Sequence, residues 1–298
     1  MLFFIEVALS GLMAGVMYSL VALGFVLIFK ASGIFNFAQG VMALFAALTL
    51  VGLMEKFNFP VWLAIIGTIV VMIALAWLIE RVMLRHLVNQ EPIILFMATI
   101  GLAYVLEGMG DIMWGSDVKM LDIGIPQGAS DYMLDNFNIY VEKLEVFAAV
   151  TAAIMVAFLA VFFQKTRIGR ALRAVADDHQ AALSVGISLN TIWVIVWSVA
   201  GIVALVAGIM WGSKSGVQFS LSLIALKALP VLILGGFTSV PGAIIGGMII
   251  GVGEKLAEVY LGPFVGGAIE NWFAYMLALV FLLFRPQGLF GERIIERV

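Results

Sequence analysis

The stretch LEVFAAVTAAIMVAFLAVFF, Leu144–Phe163, runs for twenty residues with a single charge, Glu145. A helix of that length reaches roughly 30 Å, the thickness of a bilayer's hydrocarbon core. Its apolar residues are continuous instead of alternating, so the segment reads as a membrane-spanning helix and not as a strand of an open barrel. The two flanks differ in sign. Upstream, residues 115–143 carry Asp117, Asp122, Asp131, Asp135 and Glu142 against Lys119 and Lys143. Downstream, residues 164–190 carry Arg167, Arg170 and Arg173. Short loops that keep their basic residues face the cytoplasm, so the chain crosses here from outside to inside.

The rest of the chain repeats the pattern. Hydrophobic residues make up 63% of the 298 and charged residues 12%. Soluble domains average about 45–50% apolar and about 25% charged, so this surplus of apolar surface requires lipid as its solvent. Nine spans are expected, at Phe3–Phe29, Ala38–Met54, Val61–Ile79, Pro92–Trp114, Leu144–Phe163, Ile192–Trp211, Leu223–Val240, Ala243–Leu261 and Ala268–Phe284. The first lacks a basic leading region and a small-residue cleavage site and reads as a retained helix. All eight arginines (Arg81, Arg85, Arg167, Arg170, Arg173, Arg285, Arg293, Arg297) fall in three segments that alternate counting puts on one side. The N-terminus is then outside and the C-terminus cytoplasmic. The expected fold is an all-α integral membrane protein, a polytopic bundle of about eight or nine transmembrane helices. Residues 1–298 read as one membrane domain with a cap at 115–143, because neither polar stretch reaches the ~50 residues of an independent domain.

Several chemistries are excluded. There is no cysteine, which removes disulfides, thiolate catalysis and Cys-based metal sites. No Walker-type phosphate loop occurs, so any ATP must be bound by another chain. Gly108-Met109-Gly110-Asp111 matches the short string of intramembrane aspartyl proteases, but that chemistry needs two carboxylates sharing a proton, and no other span supplies the second Asp. His86 and His179 fall in loops, which removes an embedded serine-protease base and leaves no metal cluster. No cofactor, no metal and no nucleic-acid partner is expected.

Three features remain. In residues 164–190, Ile168, Ala171, Leu172 and Val175 share one helical face while Arg170 and Arg173 lie off it, and Asp177 with Gln180 suits a second short helix ending near Gly186. Such a helix must bury its apolar stripe against something. The segment Ser32–Gly40 places Asn36, Gln39 and Gly40 where apolar sequence would serve, either as an ordinary cap and turn or as a helix start facing a water-filled path. The last third is rich in glycine, with Gly235, Gly236, Gly242-x-x-x-Gly246 and Gly247-x-x-x-Gly251. Small residues four apart favour tight helix packing, and the same glycines could expose backbone to a solute groove. Pro230 and Pro241 interrupt this region, which lipid tolerates only where protein or water satisfies the freed backbone groups. Glu107, Asp111, Lys227, Glu254, Lys255 and Glu258 lie within spans, most of them near expected outer ends, where interfacial anchoring is the first explanation, structural pairing the second and a role on the solute path the third.

These strings, taken together, resemble a known family. Asn36-Phe37-Ala38-Gln39-Gly40, Thr166-Arg167-Ile168-Gly169-Arg170-Ala171-Leu172-Arg173-Ala174 with Gly186-Ile187, Leu234-Gly235-Gly236-Phe237-Thr238-Ser239-Val240-Pro241-Gly242 and Phe284-Arg285-Pro286-Gln287-Gly288-Leu289-Phe290-Gly291 run in the order found in LivH-like permeases of branched-chain amino-acid ABC importers. The resemblance implies a membrane subunit that works with ABC ATPase subunits, an external solute-binding protein and a second permease, either a sister LivM-like chain or another copy. It also implies a cytoplasmic coupling element at 164–190, with Arg167, Gly169, Arg170, Arg173, Ala174 and Gly186 at the ATPase contact. A translocation path is expected beside Asn36, Gln39, Gly40, Gly235, Gly236 and Gly242. The same family takes urea, amides and aromatic acids, so the resemblance leaves the solute open. The rival readings are a stand-alone channel or ion-coupled carrier for a small polar solute and, more distantly, a membrane enzyme.

Overall fold

The computed structural model describes residues 2–87, 90–177 and 179–291, which leaves Arg293 and Arg297 outside the described residues. In chain order the helices are α1 (Leu2–Ser32), α2 (Gln39–Phe57), α3 (Val61–Val82), α4 (Pro92–Trp114), α5 (Asp131–Phe137), α6 (Lys143–Lys165) and α7 (Arg167–Asp177). They continue as α8 (His179–Ser184), α9 (Leu189–Ser215), α10 (Ile224–Gly235), α11 (Val240–Tyr260), α12 (Gly262–Val265) and α13 (Glu270–Phe284). The breaks follow local chemistry. Pro60 precedes α3 and Pro92 opens α4, positions where a missing N–H costs nothing. Asn58 ends α2 in the left-handed region at φ 52°, which asparagine tolerates better than most residues.

Among the described residues, α1, α2, α3, α4, α6, α9 and α11 are long and apolar enough to cross a membrane. The other two expected spans are shorter helices. Leu223–Val240 resolves into a 3-10 turn at Phe219–Leu223 and the 12-residue α10, which stops at Gly235. The sequence reading overran because it took Phe237–Val240 as apolar helix, whereas Gly236 turns the chain at φ 100° and Ser239 starts α11 by accepting the Gly242 amide at 3.0 Å. Pro241 therefore opens a helix instead of breaking one. The last span begins at Glu270, not Ala268, because the Glu258 carboxylate gathers the amides of Ala268, Ile269 and Glu270 at 2.7–3.0 Å and caps α13.

The chain forms two compact units. The first comprises Met1–Ala22, Gly124–Ile154 and Ile224–Val298. Its centre is α11, which presents two glycine faces. Gly247 and Gly251 meet Gly11 and Gly15 of α1 so closely that a methyl group at any of the four would strike partner backbone or the Ser19 side chain. Ser19 completes that seam by donating to the Ala243 carbonyl at 3.0 Å. About a quarter-turn round the helix, Gly242 and Gly246 meet Gly235 and the Val231 carbonyl of α10. Small residues four apart are what allow these close contacts.

The second unit comprises Leu23–Ile123 and Met155–Leu223. Its centre is α2, whose residues Gln39–Gly52 are all buried. A helix that is apolar all round has no lipid-facing side and belongs in a core. It packs against α3, α4 and α9, and Gly208 of α9 lets the Ala43 carbonyl approach. The 115–143 stretch, expected as a cap, lies between α4 and α6. It holds α5 and, in separate units, two isolated antiparallel bridges, Lys119 with Val217 and Ala129 with Glu142.

Candidate functional site

The corner between α6 and α7 is built by Thr166. Its hydroxyl donates to the Phe162 carbonyl at 2.6 Å and accepts the Gly169 amide at 2.9 Å, so one side chain closes α6 and caps α7. Gly169 is buried there, and a methyl group on it would meet the carbonyl oxygens of Phe162 and Phe163. Glycine is thus required by the chain's own turn. Leu172 and Val175 are buried, at 2% and 0% exposure, so half of the apolar stripe is covered, while Ala171 is half-buried and Ile168 stays 38% exposed. Arg167, Arg170 and Arg173 are exposed and Ala174 is half-buried. The outward face of α7 is therefore basic. Gly186 follows α8 at φ 85° and ends the segment where the sequence placed its end.

The Asn36–Gly40 segment is folded inward. Asn36 and Gln39 are both 0% exposed, and Gly40 is buried. Asn36 accepts the Ala38 amide at 3.1 Å through its side-chain oxygen, which makes an Asx turn leading into α2. Its amide nitrogen lies 3.4 Å from Gln39 Oε1 and 3.3 Å from Met42 Sδ, and Gln39 Nε2 lies 3.5 Å from the Ala200 carbonyl. The two contacts to oxygen, at 3.4 and 3.5 Å, are long beside the ~2.7–3.2 Å of a good N–H···O bond. Two supporting residues escaped the sequence reading. Gly24 leaves room for the Gln39 amide, which a methyl group there would strike. Thr99 of α4 accepts the Phe37 amide at 3.1 Å and reaches the Phe35 carbonyl at 3.2 Å, tying the linker to α4. A threonine inside an apolar helix gives no sequence signal of a partner sixty-two residues away.

Gly235, Gly236 and Gly242 form a second constellation, in the other unit. The Gly235 and Gly242 backbones touch, with no space for a side chain on either. The Phe284–Gly291 block folds back on them: Leu289 donates to the Leu234 carbonyl at 2.8 Å and Phe290 to the Gly235 carbonyl at 3.2 Å. Carbonyls that the end of α10 leaves unpaired are thus satisfied by the terminal segment. This couples two motifs that are fifty residues apart in the sequence.

The charged residues of the spans are more ordered than interfacial anchoring requires. Glu254 is 1% exposed and accepts Lys227 Nζ at 2.7 Å and the Tyr18 hydroxyl at 3.1 Å. Lys255 pairs with Glu270 at 3.0 Å. Asp111 is exposed and Glu107 half-buried. Among the described residues no group of three metal-ligating side chains converges.

A family profile described as "Branched-chain amino acid transport system / permease component" matches residues 7–285. The chain is 28% identical to the high-affinity branched-chain amino acid transport system permease protein LivH of Salmonella typhimurium, over 100% of this chain and 98% of that protein. It is also 28% identical to the corresponding permease protein BraD of Pseudomonas aeruginosa, over 99% and 98%. A solved structure, PsaBC from Streptococcus pneumoniae in complex with Fab, aligns over 92% of this chain and 89% of its own at 15% identity, with a TM-score of 0.48.

Proposed function

The chain belongs to the branched-chain amino acid transport system permease family, and from that premise we propose that it is the permease domain of an ATP-driven importer, carrying branched-chain amino acids handed over by an external solute-binding protein. The observation that carries this reading is the full-length match to the LivH and BraD permeases. The basic outward face of α7 agrees with it. The partners follow from the mechanism. The chain has no phosphate loop of its own, so ATP is hydrolysed by separate ATPase subunits. A second permease, a sister chain or another copy, completes the membrane portion.

In this reading α7 and α8 face the cytoplasm and meet the ATPases through Arg167, Arg170, Arg173 and Ala174, with Gly169 and Gly186 shaping the segment. An arginine in such a contact forms charge-assisted bonds to carboxylate or backbone oxygen. The N-terminus lies outside and the C-terminus inside. The Asn36–Gly40 and Gly235–Gly242 segments border the path. Support for the first comes from its long amide contacts, which water or a solute carboxylate could replace at little cost. Support for the second is the break it makes between α10 and α11, a turn of non-helical backbone at Gly236 that lipid alone could not satisfy.

The test is reconstitution in liposomes with ATPase subunits, the second permease and the binding protein. Uptake of L-leucine is expected to require ATP and every component. Uptake by this chain alone, without ATP, would replace the reading with a stand-alone channel or ion-coupled carrier.

A further inference from the structure

Lys227 stands in the first turn of α10 and Glu254 four turns into α11, and both belong to the first compact unit. Their ion pair is asymmetric in exposure: the Lys227 side chain is 20% exposed and that of Glu254 1%. It is also incompletely used. Glu254 Oε1 receives both Lys227 and Tyr18, while Glu254 Oε2, buried, has no hydrogen-bond partner among the described residues. Among the described residues Lys227 makes one hydrogen bond, and its ammonium lies 5.7 Å from the centre of the Tyr18 ring. The pair therefore keeps a spare acceptor oxygen on the anion and spare N–H donors on the cation.

A buried acceptor left unmade is costly, and charges in a membrane interior are kept where they serve a pairing or a passage. A purely structural pair would be better served by a second donor on Oε2 or by apolar residues of the same volume. What matches the spare valences is a molecule carrying both signs a few ångströms apart. Its ammonium would take Glu254 Oε2 and its carboxylate the free N–H groups of Lys227. Four charges would then alternate in sign, and no step would leave a lone charge in low dielectric. A single lysine or a single glutamate could not do this, because binding one end of a zwitterion strands the other.

We propose that Lys227 and Glu254, oriented by Tyr18, form a station for zwitterionic solutes, recognising the α-ammonium and α-carboxylate of an amino acid. The proposal rests on the importer reading given above and narrows its substrate class to zwitterions, leaving out uncharged amides and urea. Lys227, the more exposed partner, meets the solute carboxylate first, and the ammonium reaches Glu254 as the ion pair loosens.

The experiment measures initial L-leucine uptake by the reconstituted complex, per assembled complex, at saturating binding protein. Lys227→Met and Glu254→Gln are each expected to lower uptake at least tenfold, which a structural pair would also produce. The double variant K227M/E254Q separates the two, since it strands no charge. The station predicts that the tenfold loss persists, whereas recovery to the wild-type rate overturns it. Should the double variant not assemble, K227R decides: it keeps the ion pair but alters the donor geometry, and an uptake rate within twofold of wild type overturns the station. If the wild-type complex moves no L-leucine, the importer reading and the station fall together. If the wild type moves it and K227M/E254Q does so equally well, the station alone falls.

Discussion

Tyr275 donates its hydroxyl to the Leu226 carbonyl at 2.6 Å, and Leu226 lies four residues before Pro230. Proline has no N–H, so it leaves that carbonyl without its intrahelical donor. A helix in lipid must find a substitute, and α13 supplies it from the side. Tyr275→Phe is expected to destabilise the protein by about 0.6–2 kcal/mol, the range of interhelical hydrogen bonds in membranes. In a Pro230→Ala background the helix regains its own donor, and the same change should cost less. Thermal or SDS unfolding of the four purified proteins, treated as a double-mutant cycle, reads the difference. Equal costs in both backgrounds would dissociate Tyr275 from Pro230.

The glycine seam makes a prediction about which glycines matter. Gly15→Leu and Gly247→Leu each drive a side chain into partner backbone or the Ser19 hydroxyl, so little folded protein should survive extraction in mild detergent. Gly101 and Gly108 have nothing within reach of an added methyl group and no positive φ. Gly101→Ala and Gly108→Ala should therefore behave as wild type or better, by up to about 1 kcal/mol, since helix propensity favours alanine. Size-exclusion profiles of the four variants decide the matter. A monodisperse Gly247→Leu protein would sink the close-contact account.

The topology is checked by thiol labelling, made simple by the absence of native cysteine. A single cysteine at Asp122 is expected to react with a membrane-impermeant maleimide in intact cells, and one at Arg170 only after lysis. The reverse pattern would invert the assignment of inside and outside.

Coupling is best tested on the arginines of α7. Gly169 is committed to the α6–α7 corner, so Gly169→Trp should damage the fold of the segment whatever it contacts. Arg170 and Arg173 are exposed, and reversing them disturbs only the outward face. Arg170→Glu with Arg173→Glu should leave the amount of membrane-inserted chain unchanged and lower co-purification of the ATPase subunits at least fivefold. Undiminished co-purification would leave these residues as positive-inside anchors.

The spans were legible because lipid imposes length and continuity on every one of them, as Leu144–Phe163 illustrates. Helix ends were less so. The end of α10 depends on the Gly236 turn and on amides from Leu289 and Phe290, partners far away in sequence. The charges of Glu254 and Lys227 are visible in the sequence, but that they meet each other and Tyr18 is not, because pairing across three helices leaves no periodic signal. The stripe of α7 was visible too. That Leu172 and Val175 are covered by the chain itself, leaving the arginines on the exposed face, needed coordinates. Gly11, Gly15 and Ser19 are small residues four apart, but their spacing alone does not say which helix they meet.

The path beside Asn36 and Gln39 makes the last prediction. Both amides are buried here, held by contacts of 3.3–3.5 Å and by the space that Gly24 leaves. If transport opens this knot to water, a cysteine at either position becomes reactive only in states that turnover populates. Asn36→Cys and Gln39→Cys should therefore resist a small hydrophilic thiol reagent at rest and label at least fivefold faster during ATP-driven transport. Asn36→Leu removes the Asx turn and the polar lining together, whereas Asn36→Asp keeps the turn. A structural role alone would spare transport in Asn36→Asp and lower folded yield in Asn36→Leu. A lining role would slow transport in both, because a carboxylate there repels the solute's own carboxylate. Cysteines that stay unreactive in every state, with normal transport by Asn36→Asp, would assign these amides to packing and move the path elsewhere.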